Sequence, residues 1–229
     1  MIGVIAAMPE ELAALRALMQ ECEPLTLAGK TAYRGTLSGK PIILALSGIG
    51  KVNAAALSTL LLTQYQLTAV INIGSAGGID ARVKIGDVVV ANQVAHHDVD
   101  LRAFGYKKGQ LPDLPLFFPC DKNLCALAEK AAAAFDSATV HQGLIVSGDQ
   151  FVDGGDKLTQ IRRHFEGVLA CEMEAAAIGQ ICYQAAVPFV VIRALSDHAD
   201  VMAESQFDAF IEQASKQSAE MVARLLALL

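Results

Sequence analysis

The chain has 229 residues, of which 53% are hydrophobic and 18% are charged, and this length favours one large domain spanning residues 1–229. The formal net charge of −6 argues against nucleic acid as a partner, because binding a phosphate backbone requires clustered Lys and Arg. The first apolar run stops at Met8, no apolar run has the length of a membrane span, and the five cysteines form no CxxC pair, so we expect a cytoplasmic protein with no membrane partner.

Short apolar runs rich in Val and Ile alternate with helical patterns along the chain. Strands are predicted over residues 2–7, 31–37, 41–47, 69–74, 87–95, 139–148, 167–172 and 188–196. Helices are predicted over residues 9–20, 51–65, 121–135, 155–165, 173–186 and 205–228. The last helix begins at a predicted capping box formed by Ser205 and Asp208.

Several predicted strands are apolar on both faces, which is typical of a sheet covered by helices on both sides. The stretch LSGKP between the second and third strands predicts a hairpin turn, so the sheet is expected to be mixed rather than purely parallel. The sequence therefore predicts a three-layer α/β/α single domain with a central mixed β-sheet.

Three carboxylates follow predicted strands: Glu11, Glu174 and Asp197. Ligands of open α/β sheets bind at the carboxyl ends of the strands, so this joint placement favours a functional site. Taken singly, Glu11 and Glu174 could be favourable charges in the first turn of a helix, and Asp197 could cap a turn. A fourth acid, Glu172, lies in an otherwise apolar run and could be a partly solvated strand-end residue with a local partner.

Other motifs are less specific. SGIGKVNAA is neither a Walker loop nor a dinucleotide fingerprint, and NIGSAGGI could be a strand exit whose amides face a ligand or a plain tight turn. HHDVD (residues 96–100) offers metal ligands without a second cluster, and Ser147 lies outside any GxSxG motif. We therefore expect no metal and no cofactor.

Seven short strings occur in order along the chain: AAMPEE, SGIGKVNAA, GSAGG, FGY, SGDQFV, EMEAAAI and RALSD. With these strings the chain resembles the 5'-methylthioadenosine/S-adenosylhomocysteine nucleosidases, within the nucleoside phosphorylase fold family. The resemblance implies a homodimer without a cofactor that takes a small-molecule nucleoside. It also implies hydrolysis of the N-glycosidic bond of methylthioadenosine, S-adenosylhomocysteine and 5'-deoxyadenosine, releasing adenine and the 5'-substituted ribose.

The resemblance assigns roles to the three carboxylates. Glu11 matches the base that activates water, Glu174 matches the group that holds the ribose hydroxyls, and Asp197 matches the acid that protonates adenine at N7. For this chemistry Asp197 must be protonated near neutral pH, and burial after an apolar strand raises a carboxyl pKa. Glu174 is expected to stay ionised and to favour an oxocarbenium-like sugar.

The resemblance also marks positions that bind substrate. These are Met8, Ile49, Ser75, Ala76, Gly77, Phe151, Val152, Met173, Arg193, Ser196 and Phe207. In the family, a ring at Phe151 stacks on the purine, and Leu101, Phe104 and Pro112 match positions that reach across a dimer to cover the partner's 5' pocket.

Two other functions compete with hydrolysis. In a nucleoside phosphorylase, phosphate replaces water and needs cationic donors, whereas the loop that follows the first strand ends in Glu10 and Glu11, which would repel phosphate. The second alternative is a catalytically inactive binding module on the same fold. Retention of three carboxylates at strand ends speaks against it.

Overall fold

A ten-stranded mixed sheet runs through the part of the chain that the computed structural model describes, residues 1–132, 139–200 and 202–229. Its strands are β1 (Ile2–Ala6), β2 (Gln20–Leu27), β3 (Lys30–Leu37), β4 (Lys40–Leu46), β5 (Ala69–Gly78), β6 (Val88–His96), β7 (Phe118–Pro119), β8 (Val140–Ser147), β9 (Val168–Glu172) and β10 (Phe189–Asp197). The helices are α1 (Pro9–Leu18), α2 (Lys51–Gln64), α3 (Lys122–Ala132), α4 (Gly155–His164), α5 (Ala175–Gln184) and α6 (Ala203–Leu228).

The strand order is β10-β6-β8-β9-β5-β1-β4-β3-β2, with β7 paired to β6. Strand β10 also pairs with β5, so that β5, β9, β8, β6 and β10 close into a ring. β1 lies parallel to both β4 and β5, whereas β3 runs antiparallel to β4. The predicted mixed sheet of a single α/β domain is confirmed.

Apolar strands form the core, because every residue of β1 and of β10 is buried. Helix α6 packs against β5 and β10 and against helices α1 and α3, while α2 packs against α5. The predicted hairpin turn joins β3 to β4 through Ser38 and Gly39, both at positive φ (51° and 75°), as a two-residue turn between twisted strands requires. No helix within the described ranges is long and apolar enough to cross a membrane.

The structure corrects several predicted boundaries. Strand β2 was not predicted, because its exposed sequence QECEPLTL carries no apolar pattern. Helix α1 ends at Leu18 and not at residue 20, because β2 begins there. Strand β5 continues to Gly78 instead of ending at residue 74, so NIGSAGGI is a paired strand and not a tight turn. The two-residue strand β7 was also missed.

The predicted capping box of α6 is wrong. The helix begins at Ala203, and Ser205 lies inside its first turn, where its hydroxyl donates to the carbonyl of Met202. Helix α5 begins at Ala175, two residues later than expected, which leaves Glu174 at the N-cap position. The last residues predicted for α3, 133–135, lie outside the described residues.

Candidate active site

A cavity of about 290 Å³ opens at the carboxyl ends of β1, β5, β9 and β10. The three predicted catalytic carboxylates and all eleven predicted substrate-binding residues lie in its lining. Six further lining residues had no predicted role: Ala7, Ile73, Gly74, Gln150, Cys171 and Glu172. The lining does not include the three residues predicted to cover a partner's pocket, Leu101, Phe104 and Pro112. Phe104 lies on a short 3-10 turn and is 78% exposed.

Glu11 stands in the first turn of α1, directly after β1, and its side chain is buried. One carboxylate oxygen accepts hydrogen bonds from the backbone N–H groups of Ala7 (2.9 Å) and Met8 (3.0 Å). The other accepts from the N–H of Ser75 at 3.1 Å. Burial raises the pKa of Glu11, although nearby Arg193 and the three N–H donors act in the opposite direction. Glu11 thus has a helix-terminus role and faces the cavity as well.

Asp197 is the last residue of β10 and is 3% exposed. Its Oδ1 accepts from the N–H of Ala199 at 2.8 Å, and its Oδ2 accepts from the hydroxyl of Ser196 at 2.9 Å. Burial raises the pKa of Asp197, and these two hydrogen bonds oppose the shift without cancelling it. A carboxyl held in this way retains a proton at a higher pH than an ordinary aspartate does.

Two glycines of β5 allow the carboxylates to approach the sheet closely. A Cβ atom at Gly74 would lie 2.8 Å from Oε1 of Glu11. A Cβ atom at Gly77 would lie 2.6 Å from Oδ1 of Asp197. Side chains at these two positions would therefore displace the acids, which is a physical reason for the Gly-rich sequence in a buried strand.

Glu174 occupies the N-cap position of α5, and its Oε1 accepts a hydrogen bond from the N–H of Gly50 at 2.8 Å. Burial, followed by the charge of Glu172, raises the pKa of Glu174 to about 8. Glu174 therefore retains its proton to a higher pH than an ordinary glutamate does. The expected ionised form of Glu174 therefore needs a stabilising partner, because the apolar surroundings remove the water that would solvate its charge.

Glu172 is buried and is not the partly solvated residue that was one expectation. Its Oε2 accepts from the guanidinium of Arg193 at 2.5 Å. The same oxygen accepts hydrogen bonds from the backbone N–H groups of Glu174 and Ala175. Oε1 of Glu172 accepts a short hydrogen bond from the hydroxyl of Ser147. The charge of Glu172 is thus fully engaged within the protein, whereas Glu174 accepts a hydrogen bond from the N–H of Gly50 and faces the cavity.

Arg193 lies on β10, is 1% exposed, and contacts residues of β5 and β9. The same guanidinium nitrogen that contacts Glu172 lies 2.6 Å from Oδ1 of Asn72, while Nε finds no partner among the described residues. The pair links residues 21 positions apart in sequence on β9 and β10, two strands that flank β5. No short motif predicts such a pair.

Apolar side chains surround the opening of the cavity. The rings of Phe151 and Phe207 meet edge to face, with centroids 6.1 Å apart and an interplanar angle of 79°. Phe151 is 41% exposed and Ile49 is 52% exposed, while the carboxylates below them are buried. The site therefore combines an apolar entrance with a polar interior, an arrangement typical of pockets for small organic ligands.

Two side chains of the HHDVD segment form hydrogen bonds with other side chains of the protein. The Nε2 atom of His96 lies 2.9 Å from the amide oxygen of Gln180, and Asp98 accepts from the Lys51 ammonium at 2.5 Å. Burial lowers the pKa of His97 to about 4, so this ring is neutral at physiological pH. Throughout residues 1–132, 139–200 and 202–229, no group of three or more His, Cys, Asp or Glu is arranged to hold a metal ion.

The chain is similar to known proteins of one superfamily over almost its whole length. A family model described as "Phosphorylase superfamily" matches residues 1–227. The 5'-methylthioadenosine/S-adenosylhomocysteine nucleosidase of Psychromonas ingrahamii is 47% identical over 225 residues, which are 98% of this chain and 97% of that protein. The Bacillus thuringiensis nucleosidase is 46% identical over the same share of each chain.

Solved structures agree with these relatives. The Neisseria meningitidis nucleosidase in complex with methylthio-immucillin-A has a TM-score of 0.97 and 48% identity, covering 100% of this chain and 99% of that one. The Colwellia psychrerythraea nucleosidase in complex with adenine has a TM-score of 0.97 and 40% identity, covering 100% and 95%. The chain belongs to the 5'-methylthioadenosine/S-adenosylhomocysteine nucleosidase family within the phosphorylase superfamily.

Proposed function

We propose that this protein hydrolyses the N-glycosidic bond of 5'-methylthioadenosine, S-adenosylhomocysteine and 5'-deoxyadenosine, releasing adenine and the 5'-substituted ribose. The observation that carries the proposal is the convergence of three buried carboxylates, Glu11, Glu174 and Asp197, on one cavity. The names of the relatives support the two thio substrates, and adenine and methylthio-immucillin-A in solved neighbours support the shape of the ligand.

Asp197 is the general acid in this proposal. Breaking the bond between ribose and adenine leaves negative charge on the purine, and a proton delivered to N7 relieves that charge. Burial keeps Asp197 protonated to a higher pH than usual, and the hydroxyl of Ser196 orients its Oδ2. A carboxyl group whose pKa is moved toward the working pH is an effective proton donor.

Glu11 and Glu174 act on the sugar side. Glu11 takes a proton from the attacking water, and Glu174 accepts hydrogen bonds from the ribose hydroxyls. Both carboxylates gain stabilisation for their ionised form when positive charge builds up on the ribose between them. Hydrolysis of glycosides uses the same division between an acid on the leaving group and a base on the water.

The remaining lining residues position the nucleoside. Phe151 stacks on the purine, the backbone of Val152 reads its edge, and Met173 packs along the sugar. Ser75, Ala76, Gly77, Arg193 and Ser196 frame the purine and the water, while Met8, Ile49 and Phe207 form the wall near the ribose and the 5' group. These assignments follow the family pattern, and the shared cavity supports them.

We further propose that residues 1–229 act as one domain in a cytoplasmic homodimer. The segment from Leu101 to Phe118 is mostly irregular; Phe117 and Phe118 pack against the chain's own core, whereas the ring of Phe104 is 78% exposed. A partner subunit would cover this apolar surface. Leu101, Phe104 and Pro112 would then complete the 5' pocket of the partner.

Phosphorolysis is the alternative reaction within the superfamily. It requires cationic donors near C1' of the ribose, whereas the first turn of α1 carries Glu10 and the buried Glu11. Purified protein should release adenine from methylthioadenosine at the same rate in phosphate-free buffer and in phosphate. Chromatography of the sugar product decides between the reactions, because a 1-phosphorylated sugar as the main product would refute hydrolysis.

A further inference from the structure

Three residues outside the cavity lining form a closed set of hydrogen bonds, which we call the Lys51 network: Lys51, Asp98 and Asp149. The Lys51 ammonium donates to Oδ1 of Asp98 at 2.5 Å, and the backbone N–H of Asp149 donates to Oδ2 of Asp98 at 2.9 Å. The backbone N–H of Lys51 donates to Oδ1 of Asp149 at 2.7 Å. The network thus joins the start of α2 to the loops that follow β6 and β8.

The network is connected to the carboxylate of Glu174 through Gly50. Gly50, the neighbour of Lys51 and the N-cap residue of α2, donates its N–H to Oε1 of Glu174 at 2.8 Å. Gly50 has a φ of 98°, and a Cβ atom there would lie 3.1 Å from Oδ1 of Asp149. The backbone at Gly50 is therefore confined between Asp149 on one side and Glu174 on the other.

The carboxyl group of Asp98 is ionised at neutral pH. Burial alone would raise the pKa of Asp98, but the hydrogen bond from Lys51 and the N–H of Asp149 bring it below its ordinary value. The side chains of Lys51 and Asp98 are each 17% exposed, so solvent and salt screen their attraction less than they screen a surface pair. Burial keeps the adjacent His97 neutral, so this histidine adds no competing charge.

We infer that the Lys51 network positions the N–H of Gly50 against Glu174 and thereby sets how tightly the ribose is held. The inference rests on the proposed function, in which Glu174 accepts the ribose hydroxyls. It gives a role to two motifs that metal or phosphate binding does not explain, GIGK and HHDVD. Lys51, Asp98 and Asp149 are positioning residues, because they act on the substrate through Gly50 and Glu174.

Substitution at Lys51 and Asp98 tests this inference. In Lys51→Met and Asp98→Ala, we expect kcat/KM for methylthioadenosine to fall about tenfold, the effect of weakening one hydrogen bond to a charged group. Lys51→Arg keeps the charge and the donors, so it should restore most of the loss. The matched control is Asp80→Ala, which removes another Asp–cation pair, that with Arg82 at the surface, and should leave kcat/KM unchanged.

Inhibition by adenine distinguishes positioning from general loosening of the site. Adenine has no ribose, so its inhibition constant should stay within twofold of the wild-type value in Lys51→Met and Asp98→Ala. The inference is overturned if adenine binding weakens in parallel with kcat/KM, or if kcat/KM stays within twofold of wild type. If Asp98→Ala does not fold, Lys51→Met, which keeps the side-chain stem, decides. A wild-type enzyme that releases no adenine would instead refute the proposed function itself.

Discussion

Replacing Asp197 by Asn separates a chemical role from a structural one at a single position. The amide has nearly the same size as the carboxyl group. Its oxygen can still accept from the N–H of Ala199, and its NH₂ group can donate to the hydroxyl of Ser196, so both contacts of the native side chain have a counterpart. We expect the free energy of unfolding to change by about 1 kcal/mol or less.

The rate should change far more than the stability. An amide cannot transfer a proton to N7, and loss of a positioned general acid typically lowers a rate roughly 10²- to 10⁴-fold. Adenine affinity should fall only a few-fold, because the amide still forms hydrogen bonds with the purine. If Asp197 only capped the turn after β10, Asn would be a good replacement and the variant would be nearly silent.

The pH dependence gives a second readout. Because burial raises the pKa of Asp197, the protonated form persists above the usual range, and the wild-type rate should decline as pH rises through that pKa. The Asp197→Asn variant should lack this decline. Asp121→Asn is the matched control, since Asp121 lies outside the cavity lining and caps the backbone N–H of Asn123 at the start of α3. A folded Asp197→Asn enzyme within a few-fold of wild-type activity would refute the general-acid role.

Three further substitutions test the remaining roles. Glu11→Gln should lose most turnover while still folding, and near-normal rates would contradict its role as the base. Glu174→Gln should weaken binding of methylthioadenosine more than binding of adenine. Because burial raises the pKa of Glu174 from 4.5 to about 8, the folded wild type should lose stability as pH rises through this range, so Glu174→Gln should melt higher than wild type at pH 9 but not at pH 4. Light scattering should give twice the mass of one chain, and Phe104→Ala should raise KM for methylthioadenosine without dissociating this dimer; a fully active monomer would contradict the shared pocket.

Much of the site could be predicted because its residues follow recognisable strands. Glu11 and Asp197 follow β1 and β10, which both run parallel to β5, and parallel strands bring such ends to one edge of the sheet. Glu174 follows β9, which pairs antiparallel with the end of β5, so its place in the same cavity depends on the closure of the ring. The motifs around them are short but occur in a fixed order. The strand ends favoured a site, and the resemblance carried by these motifs assigned the three acids to it.

Features that depend on distant contacts were not predictable. The ion pair of Glu172 with Arg193 exists only because the sheet closes through β5, and no local pattern encodes that closure. Strand β2 was missed because it lies at the edge of the sheet, pairs only with β3, and is mostly exposed. Strand β5 was predicted too short because Gly74 and Gly77 serve the adjacent acids rather than strand propensity.

The charge balance of the site favours catalysis over simple binding. Four carboxylates lie in the lining, but the single guanidinium, that of Arg193, is paired with Glu172. Glu11 and Glu174 are left with backbone donors, and burial makes their ionised forms costly. In the proposed reaction, a ribose that becomes positively charged between them would remove this cost, so the interaction would be stronger in the transition state than with bound substrate. The proposed role of Asp197 has the opposite requirement on the purine side, where a neutral acid must give up its proton as the leaving group gains charge. A binding module for a neutral nucleoside would gain nothing from this arrangement.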